Sequence, residues 1–461
     1  MSAASACATP VESPFLNFVK KNLYPALLLT FGLAVAAIIY FKKPTQPTVP
    51  AFLNRSSGLA LGGEWVNTKA TLEGLLAKLR QNPDDQKSRL LLAEAYMQEG
   101  RITGNHAYYD AAAMELLQKV LRTDPENFEA LCSEASLSLT QHHFSQGLAL
   151  AEQAREVNPQ SAFVYGLLTD AHLELGHYDQ AIQMADKMNL LRPDLGAYAR
   201  VSYLREIKGD MPGAISAMNY AVQAGYQGLE QTEWTRVMLG RLYEISGQLD
   251  QAKGYYDMAL ALRPNYAYAL AGLARVAAAR HDYPTAIQNL KTARSLVQDY
   301  AFTDELVDVY RLAGQPAEAA KMAQESVRML SDAAQAANDN EQLGHYADRE
   351  LAYAYLKTGE LDKALEHAKI EYERRPDNID VNETLAWVHY KRGEFKDAQK
   401  YMTVARRTHS QNPVLLCRAG LILSKNGQPA EGRALIEQAI KTAPYLNPEV
   451  TAEGENLLAT R

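Results

Sequence analysis

The stretch Leu239–Pro264, LGRLYEISGQLDQAKGYYDMALALRP, decides the fold class, because small residues stand where a helical core would be expected to hold large ones. Gly240, Ala252 and Ala259 recur among larger residues such as Tyr243. Small residues let two helices approach closely, and large residues fill the spaces between them. The closing proline would end the second helix. The stretch therefore predicts a pair of packed helices and not a catalytic loop.

The prolines that close such stretches recur with a fixed spacing. Pro125, Pro159 and Pro193 are 34 residues apart, and with short insertions the period continues through Pro264 and Pro444. Self-similarity at a fixed period is typical of repeat architectures, in which each unit buries its apolar face only against its neighbours. The sequence therefore predicts one repeat array rather than several compact domains.

Two further copies share the order of residue types: LAYAYLKTGELDKALEHAKIEYERRP from Leu351 and LAWVHYKRGEFKDAQKYMTVAR from Leu385. The opening stretch reads Leu, Gly and an aromatic residue, then Gly, Ala, an aromatic residue, Ala and Pro, and both copies repeat its Leu, second Gly and first Ala at the same spacing. In this pattern the chain resembles the tetratricopeptide repeat family. The resemblance implies an all-α fold, a right-handed superhelical solenoid with a concave groove. We count ten repeats between about Gln86 and Pro448, preceded by a half-repeat helix, TLEGLLAKLRQNP.

The chain is expected to divide into seven segments. They are an N-terminal tail (1–21), a transmembrane anchor (22–41), a Pro/Gly/Ser tether (42–66), a first block of the half-repeat and seven repeats (67–330), a linker (331–342), a second block of three repeats (343–448) and a C-terminal tail (449–461). The linker, SDAAQAANDNE, is a candidate hinge. Ser138 replaces the tyrosine expected in the second repeat, so we expect that copy to pack loosely.

The anchor is predicted from residues 22–41, NLYPALLLTFGLAVAAIIYF, which contain no charged residue. Twenty helical residues span roughly 30 Å, the thickness of a bilayer core, and the run is long for the apolar part of a signal peptide. Lys20 and Lys21 precede it, and Lys42 and Lys43 follow it, so positive charge does not orient it. The next segment, PTQPTVPAFLNRSSGLALGG, is predicted to be an extended tether.

Composition and motifs argue against several functions. The net charge is −7, which does not favour nonspecific binding to nucleic acid. Cys7, Cys132 and Cys417 are far apart and predict neither a disulfide framework nor a zinc site. The sequence has no phosphate-binding loop, dinucleotide fingerprint or nucleophile elbow. We expect no enzyme, no cofactor and no small-molecule substrate.

The histidines are interpreted as structural. His142 and His281 are among those expected in inter-helix turns, and His172 is expected at a packing position. The segment HYADRE, His345 to Glu350, places a histidine among acidic residues but matches no metal-ligand spacing such as HExxH. The sequence analysis therefore predicts no metal site.

In tetratricopeptide repeats the first helix of each pair lines the concave side, so the resemblance places its exposed positions in a partner-binding groove. These positions are Phe163, Arg200, Tyr203, Trp234, Arg241, Tyr268, Arg275, Asp304, Glu305, Asp308, Tyr346 and Trp387. Arginines alternate with aromatic rings and an acidic patch follows, which suits a peptide with acidic and then basic residues. In the alternative interpretation, the arginines pair with acids such as Glu206 and Glu244 and the rings complete inter-repeat packing.

The leading hypothesis is a membrane-anchored scaffold that binds a protein or peptide partner in its groove and the lipid bilayer through residues 22–41. Two stretches, PDLGAYARVSYLREIKGD and LLCRAGLILSKNGQ, resemble long bacterial members of the family, which implies a bacterial envelope protein with its repeats outside the cytoplasm. The alternatives are a targeting or import receptor and a regulatory subunit that recruits an envelope enzyme.

Overall fold

The computed structural model describes Phe31 and residues 49–60, 62–339 and 344–459. The chain divides into two units, residues 1–51 and 52–461. The described residues of the second unit form twenty-two helices and no strand. Residues 22–41, the predicted anchor, lie outside the described part except for Phe31. No helix within the described residues combines the length and apolarity that a membrane crossing requires.

The helices follow one another as pairs joined by short turns. They are α1 (Gly62–Gln81), α2 (Gln86–Thr103), α3 (His106–Thr123), α4 (Phe128–Thr140), α5 (Phe144–Val157), α6 (Ala162–Glu174), α7 (Tyr178–Leu191), α8 (Leu195–Ile207), α9 (Met211–Ala224), α10 (Glu230–Ile245), α11 (Leu249–Leu262), α12 (Ala267–Ala279), α13 (Tyr283–Leu296), α14 (Tyr300–Leu312), α15 (Pro316–Asp339), α16 (Asp348–Thr358), α17 (Leu361–Arg374), α18 (Ile379–Lys391), α19 (Phe395–Ala405), α20 (Pro413–Lys425), α21 (Pro429–Thr442) and α22 (Pro448–Ala459).

The pairs from α2/α3 to α20/α21 are the ten predicted repeats, and α1 is the predicted half-repeat helix. Numbered from the N-terminus, repeat 5 (α10/α11) shows why small residues recur in its core. The Tyr256 side chain is fully buried, and a β-carbon on Gly240 or Gly272 would lie 2.6 Å from its ring. Glycine at these two positions therefore makes room for the tyrosine between neighbouring helices.

The predicted C-terminal tail forms helix α22. Val450 is buried, and a β-carbon on Gly454 would lie 2.9 Å from the Cys417 sulfur of α20. The last repeat of a solenoid has an apolar face with no further repeat to cover it, and α22 covers this face. The prediction of a tail over residues 449–461 was therefore wrong for residues 449–459.

The predicted tether is packed against the repeats from residue 52 onward, and residues 62–66 already belong to α1. The Arg55 side chain is fully buried, and its Nε donates to Glu99 at 2.9 Å while its Nη1 donates to Glu64 at 2.9 Å. Leu59 joins the apolar core of repeats 6 and 7. The ion pairs and the buried leucine hold a segment whose Pro and Gly content had predicted a free tether.

Two smaller predictions also need correction. Helix α15 continues through Asp339, so residues 331–339 of the predicted linker are helical. Alanines predominate in this stretch, and alanine has the highest helix propensity. Ser138 is fully buried, and its hydroxyl donates to the Glu134 carbonyl at 2.9 Å. The second repeat is therefore packed at this position and not loose.

The main feature that the sequence did not reveal is contact between successive superhelical turns. Glu174 accepts from Arg375 at 2.5 Å, and the Glu244 carbonyl accepts from the Tyr445 hydroxyl at 2.7 Å. The partners in each of these bonds are 201 residues apart, or about six repeats. The Tyr346 N–H likewise donates to the Gln141 carbonyl at 3.1 Å. Repeats 2–5 therefore contact the segments from residue 345 onward, and we call these two groups the first and second turns.

Candidate partner-binding cavities between the two turns

The first cavity, of about 280 Å³, lies between α8 and α10 of the first turn and α16, α18 and α20 of the second. Tyr203 and Arg241 line it from the first turn. Tyr353, Asp380 and Arg418 line it from the second turn. Its walls are therefore contributed by residues from widely separated repeats, and the cavity exists only because the turns stack.

The second cavity, of about 480 Å³, lies between helix α10 of the first turn, helices α12 and α14 of the two repeats that follow it, and the segment of the second turn that contains α22. Its charged residues are Glu244, Arg275, Glu305, Asp308 and Glu455. Its apolar wall is formed by side chains that include Val309, Leu312, Pro444, Leu446 and Pro448. The cavity thus combines an apolar wall with an excess of acidic groups.

The predicted groove arginines are bound to neighbouring acids. Arg200 Nε donates to Asp170 at 2.8 Å, and Arg241 Nη1 donates to Glu206 at 3.0 Å. Arg275 bridges two carboxylates and lies 2.9 Å from Glu244 and 3.0 Å from Glu305. The structure thus shows the ion pairs of the alternative interpretation. An arginine already paired in this way has less capacity to bind a partner's carboxylate.

Three other polar atoms of the cavities are unpaired within the described part of the chain. The Arg349 and Arg418 Nε atoms and the Glu305 Oε2 atom are buried without a hydrogen bond to any described residue. A buried donor or acceptor left unpaired costs about 1–3 kcal/mol, so such atoms are normally satisfied by water or a ligand. The first cavity therefore offers free donors, and the second offers a free acceptor.

Burial sets the charge state of the acidic patch. Burial raises the pKa of Glu305 to about 7, against the opposing effect of Arg275. Asp304 and Asp308 both bind Lys357 of the second turn, each at 2.8 Å. Burial nevertheless raises the pKa of Asp308. The predicted acidic patch is therefore partly neutralised by a lysine that sequence analysis had not associated with it.

The predicted aromatic groove residues separate into different environments. Trp387 is only 4% exposed and stacks on Tyr390, so its assignment to the groove was wrong. Its ring belongs to the apolar core between the last repeats. By contrast, Phe163 is 53% and Trp234 is 40% exposed, and Trp234 packs edge-on against Tyr268 at 4.9 Å.

The remaining predicted aromatic residues lie near the contact between the turns. Tyr203 packs with the cluster that contains Ile379 of the second turn. The Tyr346 ring centroid is 4.2 Å from the His143 ring centroid, and the Arg374 guanidinium lies 3.9 Å from the Tyr346 centroid. These tyrosines therefore stabilise the stacking of turns, which the sequence period alone does not specify.

The same contact brings His142 to His345 and Glu350, two residues that sequence analysis had grouped in one segment but had not connected to His142. The two imidazole centroids are 4.2 Å apart. Burial and the nearby Arg375 lower the pKa of His142 to about 4, and burial and His142 lower the pKa of His345 to about 3. Both rings are therefore neutral near pH 7. No sequence spacing could have added His142 to the other two, because it comes from a different superhelical turn.

Comparison with known proteins supports the repeat assignment. Models of the tetratricopeptide repeat match residues 138–205 and 237–301. The chain is also similar to a thermophilic tetratricopeptide repeat protein of Thermus thermophilus, TTC0263, with 21% identity over 42% of this chain and 97% of that chain, and a TM-score of 0.36. Searching the curated proteins gave no match.

Two other solved structures match over more of this chain. Yeast Tom70 has 12% identity over 86% of this chain and 93% of that chain, with a TM-score of 0.35. The human IFIT1 dimer with PPP-AAAA has 13% identity over 76% of this chain and 80% of that chain, with a TM-score of 0.46. Tetratricopeptide repeats are typically non-catalytic modules for protein interaction. The prediction of such repeats is confirmed: this chain is built from helix pairs that include tetratricopeptide repeats.

Proposed function

We propose that this protein is a non-catalytic scaffold that binds an extended segment of a partner protein in the two cavities between its superhelical turns. The observation that carries this proposal is the convergence of unpaired buried polar atoms on these cavities. Water would satisfy such atoms in the free protein, and a peptide that supplies the matching groups would replace that water. The repeats themselves support a role in protein binding.

The chemistry of each cavity defines the segment that it would take. In the first cavity, the unpaired Nε donors of Arg349 and Arg418 suit one carboxylate oxygen, while Arg418 keeps its Nη1 bond to Glu383 at 2.9 Å. In the second, the free Glu305 oxygen and the wall that includes Leu312 suit a lysine or arginine with its aliphatic stem against the wall. Helix α10 contributes to both cavities, so one segment with an acidic and a basic residue could occupy them together.

A displayed library of random peptides, selected on the purified full-length chain, tests this specificity. We expect selected peptides to contain both an acidic residue and a lysine or arginine. Glu305→Gln should weaken binding of such a peptide about tenfold, since a hydrogen bond to a charged group is worth about 1.5–3 kcal/mol. Glu437→Gln, at an exposed position of the last repeat, is the matched control. Equal affinities of these two variants would contradict the proposal.

We further propose that residues 22–41 anchor the protein in a bacterial envelope membrane, with the repeats outside the cytoplasm. The uncharged run of apolar residues supports an anchor. Protease digestion of a C-terminal tag in intact cells and in opened spheroplasts tests the proposed side of the membrane. Digestion only after the outer barrier is opened is the expected result. Protection until the inner membrane is lysed would contradict it and would favour a scaffold that recruits cytoplasmic proteins.

A further inference from the structure

The contact between the turns places three metal-ligating groups at one point outside both cavities. His142 lies in the turn between α4 and α5, while His345 precedes α16 and Glu350 lies in its first turn. One ligand atom from each of these residues lies within 4.8 Å of the other two. Donors that bind one zinc ion are ~3.4 Å apart, because each lies about 2.0–2.1 Å from the metal. Small side-chain rotations would therefore bring this set to coordination distance.

Hydrogen bonds orient both imidazoles for such a role. His142 Nδ1 lies 2.9 Å from the Tyr346 carbonyl and must donate to it, because a carbonyl only accepts. The His142 Nε2 atom of the neutral ring therefore carries the free lone pair. The His345 ring is also bonded to the backbone of Thr140, which fixes one of its nitrogens. Metal-binding histidines are typically held in this way by their second nitrogen.

The carboxylate adds a third acceptor. Glu350 Oε2 is buried and has no hydrogen-bond partner among the described residues, and Oε1 is 4.0 Å from Arg349. Glu350 thus adds a carboxylate with an unpaired oxygen to the two imidazoles. A cation bound between these groups would satisfy that oxygen and a lone pair of each ring.

We propose that His142, His345 and Glu350 bind one divalent transition-metal ion, with zinc the best match, and that the ion links the first superhelical turn to the second. Two imidazoles and one carboxylate are a ligand set that zinc accepts, and a water molecule would complete a tetrahedral site. The His142 ligand belongs to the first turn, and the other two belong to the second. Metal binding would therefore stabilise the contact on which both cavities depend.

Titration of the full-length chain with zinc chloride tests the site. The protein is freed of any affinity tag and stripped with a chelator, and binding is followed by isothermal calorimetry. We expect one zinc ion per chain, together with a rise in melting temperature on zinc addition. Cobalt chloride provides a spectroscopic check, since visible absorption reports a low-coordinate site.

The variants His142→Asn, His345→Ala and Glu350→Gln should each lower zinc affinity by on the order of 100-fold. Asparagine suits the left-handed backbone of His142, which has φ 63°. His281→Asn is the matched control, because His281 has φ 61° in the corresponding turn of repeat 6 and is exposed. This variant should bind zinc as the wild type does.

Two results would overturn the assignment: no saturable zinc binding by the wild-type chain, or binding that all three ligand variants retain. In the second case another pair of histidines, such as His172 and His177, would hold the ion. Circular dichroism identifies any variant that does not fold. Should His345→Ala fail to fold, Glu350→Gln decides the question, because it removes the charge and keeps the side-chain shape.

Discussion

Glycines at the same position of the repeat behave differently in the two superhelical turns. All adopt the left-handed backbone, with φ between 79° and 83°. In the first turn, a β-carbon would lie 2.3–2.6 Å from a backbone atom of the second turn; in the second, no described atom lies within 4 Å of it. The first group is Gly176, Gly209 and Gly247, and the second is Gly359, Gly393 and Gly427. At all six positions the glycine thus allows the left-handed backbone between paired helices. In the first superhelical turn it also leaves room for the backbone of the second.

The largest expected effect comes from an ion pair between the turns. Arg375→Met leaves Glu371 and Glu174 near the interior without their shared cation. Breaking a buried pair in this way costs about 3–5 kcal/mol of unfolding free energy. Burial raises the pKa of Glu174 to about 7 even beside Arg375, and loss of the arginine raises it further, so protonation relieves more of the cost at pH 6 than at pH 8. Urea unfolding at both pH values measures the loss.

The matched control is Arg280→Met, which breaks an exposed pair with Asp250 of the neighbouring repeat. An exposed pair contributes little to stability. If both variants lose the same stability, contact between the turns is not an important source of stability.

The glycine comparison predicts the next effect. Gly247→Ala and Gly427→Ala both force alanine into the left-handed region, at a cost of about 1–2 kcal/mol. The β-carbon at residue 247 would also lie 2.3 Å from the Thr442 carbonyl oxygen, whereas residue 427 faces no described atom within 4 Å. We therefore expect Gly247→Ala to lose about 1–3 kcal/mol more unfolding free energy than Gly427→Ala. Denaturation midpoints of the two variants measure this difference, and equal midpoints would refute it.

A smaller effect should appear in the pH dependence of stability. The pKa of Glu305 is raised from its ordinary value of 4.5 to about 7, so between these values the folded chain holds a proton that the unfolded chain releases. Its contribution is present below pH 4.5 and is lost as pH rises through 7. The melting temperature of Glu305→Gln should therefore fall less between pH 5 and pH 8 than that of the wild type. Glu437→Gln should follow the wild type, and an unchanged fall in Glu305→Gln would contradict the account.

The smallest effect is expected at the exposed Phe163. Phe163→Ala should change the unfolding free energy by no more than about 0.5 kcal/mol, because the ring is mostly in water. If the partner segment lies in the cavities, affinity for the selected peptide should also be unchanged. A clear loss of affinity measured by fluorescence anisotropy would instead support the open groove that the sequence predicted.

Sequence analysis could predict the repeats because contacts between residues close in sequence determine each repeat. The spacing of Pro125, Pro159 and Pro193, and the small residues such as Gly240, follow from packing within and between neighbouring repeats. The same reasoning anticipated that Arg241 could pair with Glu206, a residue of the preceding repeat. Contacts between adjacent repeats are therefore accessible from the period alone.

The sites depend on the superhelical pitch, which is the sum of many small rotations between repeats. Arg349 and Arg418 become cavity residues, and His142 approaches His345, only because the pitch brings the second turn onto the first. No short motif encodes that sum. Trp387 was misplaced for a related reason, since a position exposed in one repeat becomes buried where the packing of its neighbours differs.

Electron paramagnetic resonance with spin labels at Lys208 and Gln411, read by line broadening at short distance and by pulsed methods at long distance, tests the stacking of the turns most directly. Both residues are exposed, and a β-carbon on Gly209 would lie 3.3 Å from the Gln411 side chain. Cys132 and Cys417 are buried, and Cys7→Ser prevents labelling at the N-terminus. Stacked turns predict one narrow population at short distance. A broad population at long distance would show an open superhelix and contradict both the cavities and the proposed metal site.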